Sequence, residues 1–553
     1  MAVTIHITNL EWSKAFYHPG ETVQLTVHVS TQVEQPLPAR LDAHVTSVEQ
    51  MIGDLTQEVR LSGGEQIFTL NWNPPAISPQ GYGVDIRLRT LSGAMLAADS
   101  TAFDVLDRWT QMPRYGFLTD FSPGRSDAVE TMTGLNRYYI NALQFYDWMY
   151  RHDQFLTDQD PYRDPLGRLL SRQTVDALIS AAHTRGMAAM PYTAVYAASM
   201  DFYHQHPDWA IFGSDGKALF FGDNFLVYMD PRPDSPWTHY LLNQFDQILE
   251  RTAFDGIHLD QYGDPKVGYD AQDNSYPLDT ALAEFINATH EHVAALRLNG
   301  AVVFNAVTNW PIRTVAPSAE DIVYIEVWPP YIFYTDLAQL IRQGQTLGNG
   351  KAVVLAAYID PSLEHNVRLM DAIIFASGGG HIELGEKNDM LADAYFPRYG
   401  EMSPALADVI QRDYDFAVRY QNAIGPETRD ATQDYMNRIQ VQGASTNASQ
   451  GKNIVMPIVR TSGDYTAINL INLLGVPSAE WKAPLSSDPT PLTNTPIHIL
   501  NVDRQVDRVW MASPDHQDAS LQEIPFTLKD GRLTFDAPSL KYWDLILIKW
   551  ESQ

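Results

Sequence analysis

The chain has 553 residues, a formal net charge of −29 and no cysteine, which excludes disulfides, thiolate metal centres and cysteine nucleophiles together. Single cores stop growing near about 250–300 residues, so several folding units are expected; the 45% apolar and 19% charged content is that of a globular chain. The acidic balance argues against nucleic acid and anionic membrane surfaces as partners, and no apolar run approaches the roughly 18 residues of a bilayer span.

Residues 1–108 read as β-structure throughout. Met1-Ala-Val-Thr-Ile-His-Ile enters directly into alternating sequence, with neither a basic n-region nor an apolar h-region. The protein is therefore expected inside the cell, or outside it with a leader removed. Val23-Gln-Leu-Thr-Val-His-Val alternates apolar and polar side chains, as a half-buried strand does. Runs at 66–72, 82–88 and 101–106, separated by Pro-Gly and Gly-Gly turns, complete the pattern of an immunoglobulin-like β-sandwich.

From 109 to 428, eight short apolar runs alternate with helical patterns: 115–121, 142–148, 187–192, 256–262, 302–307, 322–328, 353–359 and 381–385. Val175, Leu178, Ile179 and Ala182 share one face of a helix over 172–185. Ser235-Pro236 is a cap followed by proline at the first helical position. Asn299-Gly300 closes a helix over 282–298. Eight such units predict a (β/α)8 TIM barrel. A doubly wound open sheet is the competing reading, but no Gly-rich phosphate turn follows the first strand.

From 429 to 553 strands return, at 454–459, 465–474, 497–502, 508–511 and 542–550. They predict a C-terminal antiparallel β-sandwich. Asp530-Gly531 marks a hairpin turn, and the Pro-, Ser- and Thr-rich stretch 475–496 a long surface loop.

In a (β/α)8 barrel the active site lies at the C-terminal ends of the strands. Those ends here carry Asp120, Asp147, Tyr192 with Tyr196 beyond it, His258-Leu-Asp260-Gln261, Asn305, Glu326 with Trp328, Asp360, and His381-Ile-Glu383. Carboxylates and aromatic rings on one rim describe a sugar site: rings stack on pyranose faces while carboxylates and amides hold hydroxyls. Asp260 and Glu326 each follow an apolar strand and are delivered at its end. Glycoside hydrolysis needs two such carboxyls, one ionised and one kept protonated. Each residue also has a plainer reading. Asp360-Pro-Ser favours a helix cap, Asp255-Gly256 shapes the entry to the fourth strand, and His381 suits a hydrogen-bonded core histidine. Asp264, Asp270, Asp273 and Asn274 are oxygen ligands without EF-hand spacing, read as a solvated loop rather than a calcium site. No metal and no cofactor is expected. The sequons at Asn287 and Asn447 are the kind that arise by chance.

At these residues the sequence resembles glycoside hydrolase family 66, the dextranases and cycloisomaltooligosaccharide glucanotransferases. The matching pieces are Gly116-Phe-Leu-Thr-Asp-Phe121, Gln144-Phe-Tyr-Asp-Trp-Met-Tyr-Arg-His152, Phe254-Asp-Gly-Ile-His-Leu-Asp-Gln-Tyr-Gly263, Tyr324-Ile-Glu-Val-Trp328 and Gly379-Gly-His-Ile-Glu-Leu-Gly385. The resemblance implies a nucleophile at Asp260 and an acid/base at Glu326. It also implies a neutral α-glucan as partner, held by Asp120, Asp147, Tyr192, Asn305, Trp328 and Glu383, with Tyr196, His258, Gln261 and His381 beside them. Cyclising members of the family carry a carbohydrate-binding module inserted within the barrel, and this sequence leaves no room for one. The expectation is a retaining endo-hydrolase of α-1,6-glucan. The rivals are a transferring or exo-acting α-glucosidase on the same barrel and a non-catalytic glucan-binding protein. Nothing sets the oligomeric state, and a monomer is the default.

Overall fold

The computed structural model describes residues 4–394, 398–447 and 452–551. At its centre lie eight parallel strands: β1 (Tyr115–Leu118), β2 (Ala142–Phe145), β3 (Ala188–Ala194), β4 (Gly256–Asp260), β5 (Ala301–Val307), β6 (Ile322–Glu326), β7 (Val353–Ala356) and β8 (Gly379–His381). Each pairs with the next in chain order. The sheet then returns on itself: Phe117 of β1 bridges Gly385, and its amide donates to the Leu384 carbonyl at 3.0 Å. That return is what a doubly wound sheet lacks.

A helix follows every strand: α1 (Ala128–Asn136), α2 (Arg172–Thr184), α3 (Pro236–Arg251), α4 (Leu278–Leu296), α5 (Ile312–Val315), α6 (Tyr334–Leu347), α7 (Glu364–Ala376) and α8 (Pro404–Arg419). Ser235 caps α3 by accepting the Thr238 amide at 3.0 Å, and Trp237, Leu241, Phe245, Ile248 and Leu249 form its buried stripe. The helix expected over 282–298 runs instead from Leu278 to Leu296. Leu278 and Ala281 join its buried face, whereas Leu298 is 96% exposed and holds nothing. Asn299, at φ 61°, then turns the chain toward β5.

The barrel interior is filled by inward side chains including Tyr115, Met190, Val303, Tyr324, Val354 and Ile382, with Phe16, Leu106 and Trp109 in the same cluster. Asp255 ties the base of β4 to β3, its carboxylate accepting the Ala189 amide at 2.7 Å and meeting His183 Nε2 at 2.8 Å. Gly256 is required beside it: a Cβ there would stand 2.0 Å from the Ala301 carbonyl oxygen of β5. Gly256→Ala is expected to destabilise the fold by about 2–3 kcal/mol, read as a lower midpoint in chemical denaturation.

Largely antiparallel sheets lie before and after the barrel in the chain. Ile5–Trp12, Val23–Thr31 and Gly64–Trp72 form one; Gln50–Leu61, Leu37–Ser47, Gln80–Thr90 and Met95–Val105 form a second. Near the C-terminus, Ile454–Ser462, Tyr465–Asn472, Trp543–Trp550 and Val506–Ala512 lie adjacent in one sheet; Ile439–Val441, Leu492–Ile499, Arg532–Leu540 and Phe526–Lys529 in another. Asp530 and Gly531, at φ 49° and 71°, make the tight turn between the last two strands. The loop expected over 475–496 is shorter than its composition suggests, because Leu492–Ile499 is a strand, which also displaces the run expected at 497–502. The remainder is docked rather than free. Trp481 is buried, its indole N–H donating to the Tyr331 carbonyl at 3.1 Å, and the Ala479 carbonyl accepts the Tyr334 amide at 3.0 Å. The sequon starting at Asn447 runs into residues outside those described.

Candidate active site

The strand register builds the site. In β3 and β4, Tyr192 lies beside His258 and Ala194 beside Asp260; in β5 and β6, Asn305 pairs with Tyr324 and Val307 with Glu326. Side chains of one parity therefore converge above the interior layer. There they floor a cavity of about 330 Å³, lined by Asp147, Tyr192, Asp260, Gln261, Asn305, Tyr324 and Glu326 among others.

One side chain joins the two carboxyls. The Asn305 amide nitrogen donates to Asp260 Oδ1 at 2.7 Å and to Glu326 Oε2 at 3.1 Å. The nearest oxygens of Asp260 and Glu326 thus lie within about 6 Å, short of the roughly 6.5–9.5 Å that accommodates a water between inverting carboxyls. Asp260 also accepts the Tyr192 hydroxyl (2.7 Å) and the Gln261 amide (2.8 Å).

Loss of water raises the affinity of both groups for protons, and their neighbours then separate them. Burial pushes Asp260 up to about 6, against the pull of the hydrogen bonds from Tyr192, Asn305 and Gln261. Glu326 rises to about 7 through burial and the adjacent Asp260 charge, with Asn305, Trp328 and Tyr358 hydrogen bonds opposing. The Asp260 charge raises Glu326 with no matching push on Asp260, so Asp260 is the better anion and Glu326 the better acid. Asn305→Ala should lower kcat/KM about 100-fold and move the acid limb of the pH–rate profile to higher pH, because Asp260 loses a donor that favours its ionised form. Steady-state rates across pH check both.

Asp147, at φ 50°, brings a third carboxyl into the cavity; burial pushes it up to about 7 and Arg168 opposes. Gln261 lines the cavity while its own amide donates to the Asn305 carbonyl at 3.1 Å. Trp328 is hydrogen-bonded to Glu326 but is not among the residues that line the cavity. His258 and Tyr196 line no part of this cavity. His258 is buried, with Nδ1 3.0 Å from the Tyr115 hydroxyl, and burial holds it neutral. The Tyr196 hydroxyl donates to Gln261 Oε1 at 3.3 Å and accepts the Tyr262 amide at 2.8 Å.

Asp120, His381 and Glu383 are not brought to the cavity. Asp120 is exposed and caps a turn through the Ser122 amide at 3.0 Å; it is Glu386 that accepts the Asp120 amide at 2.8 Å and the Arg125 guanidinium at 2.7 Å. At β8 the parity is shifted by one residue. Ile382 faces the interior, so His381 and Glu383 point outward toward α7 and α8. There His381 Nδ1 meets Asp371 Oδ1 at 2.9 Å and Glu383 Oε2 at 3.2 Å, Nε2 reaches the Ala357 carbonyl at 3.0 Å, and the Tyr414 hydroxyl donates to Glu383. Asp371, His381 and Glu383 form the one trio among the described residues whose ligand atoms fall within 4.8 Å of one another. The imidazole already lies between its two carboxyls, which, against the pull of burial, raise it to about 10. Asp360 takes the Ser362 amide at 2.8 Å, ahead of the α7 cap at Leu363. Asp270 is occupied by the Asn274 and Gln272 amides and Arg232.

Further residues line the cavity. Tyr146, Tyr262, Tyr324 and Tyr358 were visible as aromatics at strand ends. Gln144 and His152 lie within the second motif of the family resemblance. Phe221 and Phe225 come from the connection between β3 and α3, where no strand-end rule applies.

Comparison with known proteins fits this geometry. The family model described as glycosyl hydrolase family 66 matches residues 12–547. The chain is 25% identical, over 697 aligned positions, to a cycloisomaltooligosaccharide glucanotransferase of Niallia circulans, covering 97% of this chain and 71% of that one. It is 23% identical to a dextranase of Streptococcus salivarius, covering 85% and 67%. In fold it is similar to a Paenibacillus cycloisomaltooligosaccharide glucanotransferase solved with cycloisomaltoheptaose, at TM-score 0.91 and 23% identity, covering 99% and 100%. With a match over nearly its whole length, the chain belongs to glycosyl hydrolase family 66 and is an enzyme of that glycoside-hydrolase type.

Proposed function

We propose that the protein is a retaining hydrolase of α-1,6-glucosidic linkages in dextran or isomaltooligosaccharides. The observation that carries this reading is the Asn305 amide shared by Asp260 and Glu326, which sets a separation suited to double displacement. Glu326 gives its proton to the glycosidic oxygen as Asp260 attacks the anomeric carbon, forming a β-glucosyl ester and releasing the chain beyond the bond. Glu326, now a carboxylate, takes a proton from water, whose oxygen displaces Asp260 and leaves an α-product. Asp147 and Tyr192 line the same floor and hold the sugar hydroxyls, while Gln261 braces Asn305 by donating to its carbonyl. Asp120, His381 and Glu383 are left to structural duties.

We assign the catalytic unit to 109–428, between an immunoglobulin-like β-sandwich at 1–108 and a second sandwich at 429–553; two antiparallel sheets on either side of the barrel support that division.

Transfer to a sugar acceptor is the second reading, favoured by two matching relatives that are glucanotransferases. The alignment with the first extends over 697 positions against 553 residues here, so that relative has segments this chain lacks. A missing insertion favours water as the acceptor. Incubation with dextran, pullulan, starch and isomaltooligosaccharides decides: early mixed isomaltooligosaccharides from dextran alone support endo-hydrolysis, cyclic products indicate transfer, and cleavage confined to pullulan or starch refutes the linkage.

A further inference from the structure

Between β3 and α3 a hairpin pairs Phe220–Phe221 with Leu226–Tyr228 and sets its turn, 222–225, at the mouth of the cavity. Gly222 and Asn224 adopt φ 57° and 59°, a left-handed backbone that glycine and asparagine tolerate best. The Phe225 amide closes the turn on the Phe221 carbonyl at 3.1 Å.

The two rings of this turn differ in their surroundings. Phe221 is stacked on Tyr262, centroids 4.3 Å apart and planes at 17°, and packs against the core. Phe225 is 40% exposed, at the end of the polar sequence Gly222-Asp223-Asn224. Core packing does not require it, yet it lines the cavity that Asp260 and Glu326 floor. Pro165 and Leu166, from the β2–α2 connection, and Ala394, beyond β8, line the cavity as well. The apolar lip above a carboxylate floor is matched to a pyranose, whose C–H face is apolar and whose equator carries hydroxyls.

We propose that Phe225 is the stacking platform of a glucosyl subsite at the cavity mouth, gripping the α-glucan chain where it leaves the catalytic carboxyls. The proposal rests on the α-glucan reading above and adds where the units beyond the bond are held. A pocket closed around a single sugar offers no such place; endo-cleavage and transfer both require one.

The test is calorimetric titration of isomaltoheptaose into full-length protein carrying Asp260→Ala, so that binding is measured without turnover. Adding Phe225→Ala should weaken Kd about three- to ten-fold, the scale of one lost stacking contact, whereas Phe225→Trp should hold Kd within about twofold. Leu298→Ala, on the exposed side of the barrel, serves as the unaffected control. Equal Kd for Phe225 and Phe225→Ala overturns the subsite. Absence of binding to the parent with Phe225 intact refutes the α-glucan reading itself, and the subsite with it.

Discussion

Asp260→Ala is expected to lower kcat on dextran by about 10⁴- to 10⁶-fold, the range seen when a covalent nucleophile is removed. The site explains why the loss should be large. Asp260 opens onto the cavity and is oriented by Tyr192, Asn305 and the Gln261 amide. Truncation also leaves space below the anomeric carbon. Azide can enter there and attack directly, so added azide should restore part of the rate and yield a β-glucosyl azide. Near wild-type turnover by Asp260→Ala would remove the nucleophile assignment.

Glu326→Gln should cost about 10²- to 10⁴-fold on dextran, the usual range for general acid–base catalysis, and far less on an activated glucosyl fluoride, whose leaving group needs no proton. The pH profile gives the second signature. Asp260, at about 6, must be ionised and Glu326, at about 7, protonated, so the wild-type profile should be a narrow bell with its limbs near those values. The pair titrates jointly, and the limbs report the pair rather than either residue. Glu326→Gln should abolish the alkaline limb. The acid limb should stay near its wild-type position, since Glu326 is already uncharged while Asp260 titrates. With azide this variant should give the α-glucosyl azide, by attack on the glucosyl-enzyme, opposite in configuration to the product from Asp260→Ala. Equal losses on dextran and fluoride would contradict the acid role.

Most of the barrel was legible because its physics is periodic. The eight apolar runs, the Ser235-Pro236 cap and the Asp530-Gly531 turn are local signals, and each has its counterpart in the structure. Strand ends were harder. β4 and β6 end at Asp260 and Glu326 themselves, so each carboxylate is delivered by the strand's own alternation. At β8 the strand is Gly379–His381, two residues ahead of the apolar run. Two glycines hid its start, so the strand reads as beginning at His381, where it ends. Asp120 lies off the cavity for another reason: β1 ends at Leu118, and the chain leaves the barrel before reaching it. Phe225 was invisible because no periodicity governs a connecting turn; only the fold brings residue 225 to residue 260. The docked segment around Trp481 was masked by its Pro, Ser and Thr content, which outweighed its buried Val476, Trp481 and Leu485.

The charge of −29 acquires a partial role from this geometry. Asp147, Asp260 and Glu326 are acids that the barrel desolvates and turns toward a neutral substrate, which their charge neither attracts nor repels. The missing cysteines agree with a chemistry that carboxylates conduct.

The most direct test of the central claim, double displacement by Asp260 and Glu326, is the anomeric configuration of the first product, followed by proton NMR during cleavage of an isomaltooligosaccharide and read before mutarotation. The account predicts that the α-anomer forms first. Initial release of the β-anomer would show a single inverting displacement and contradict it.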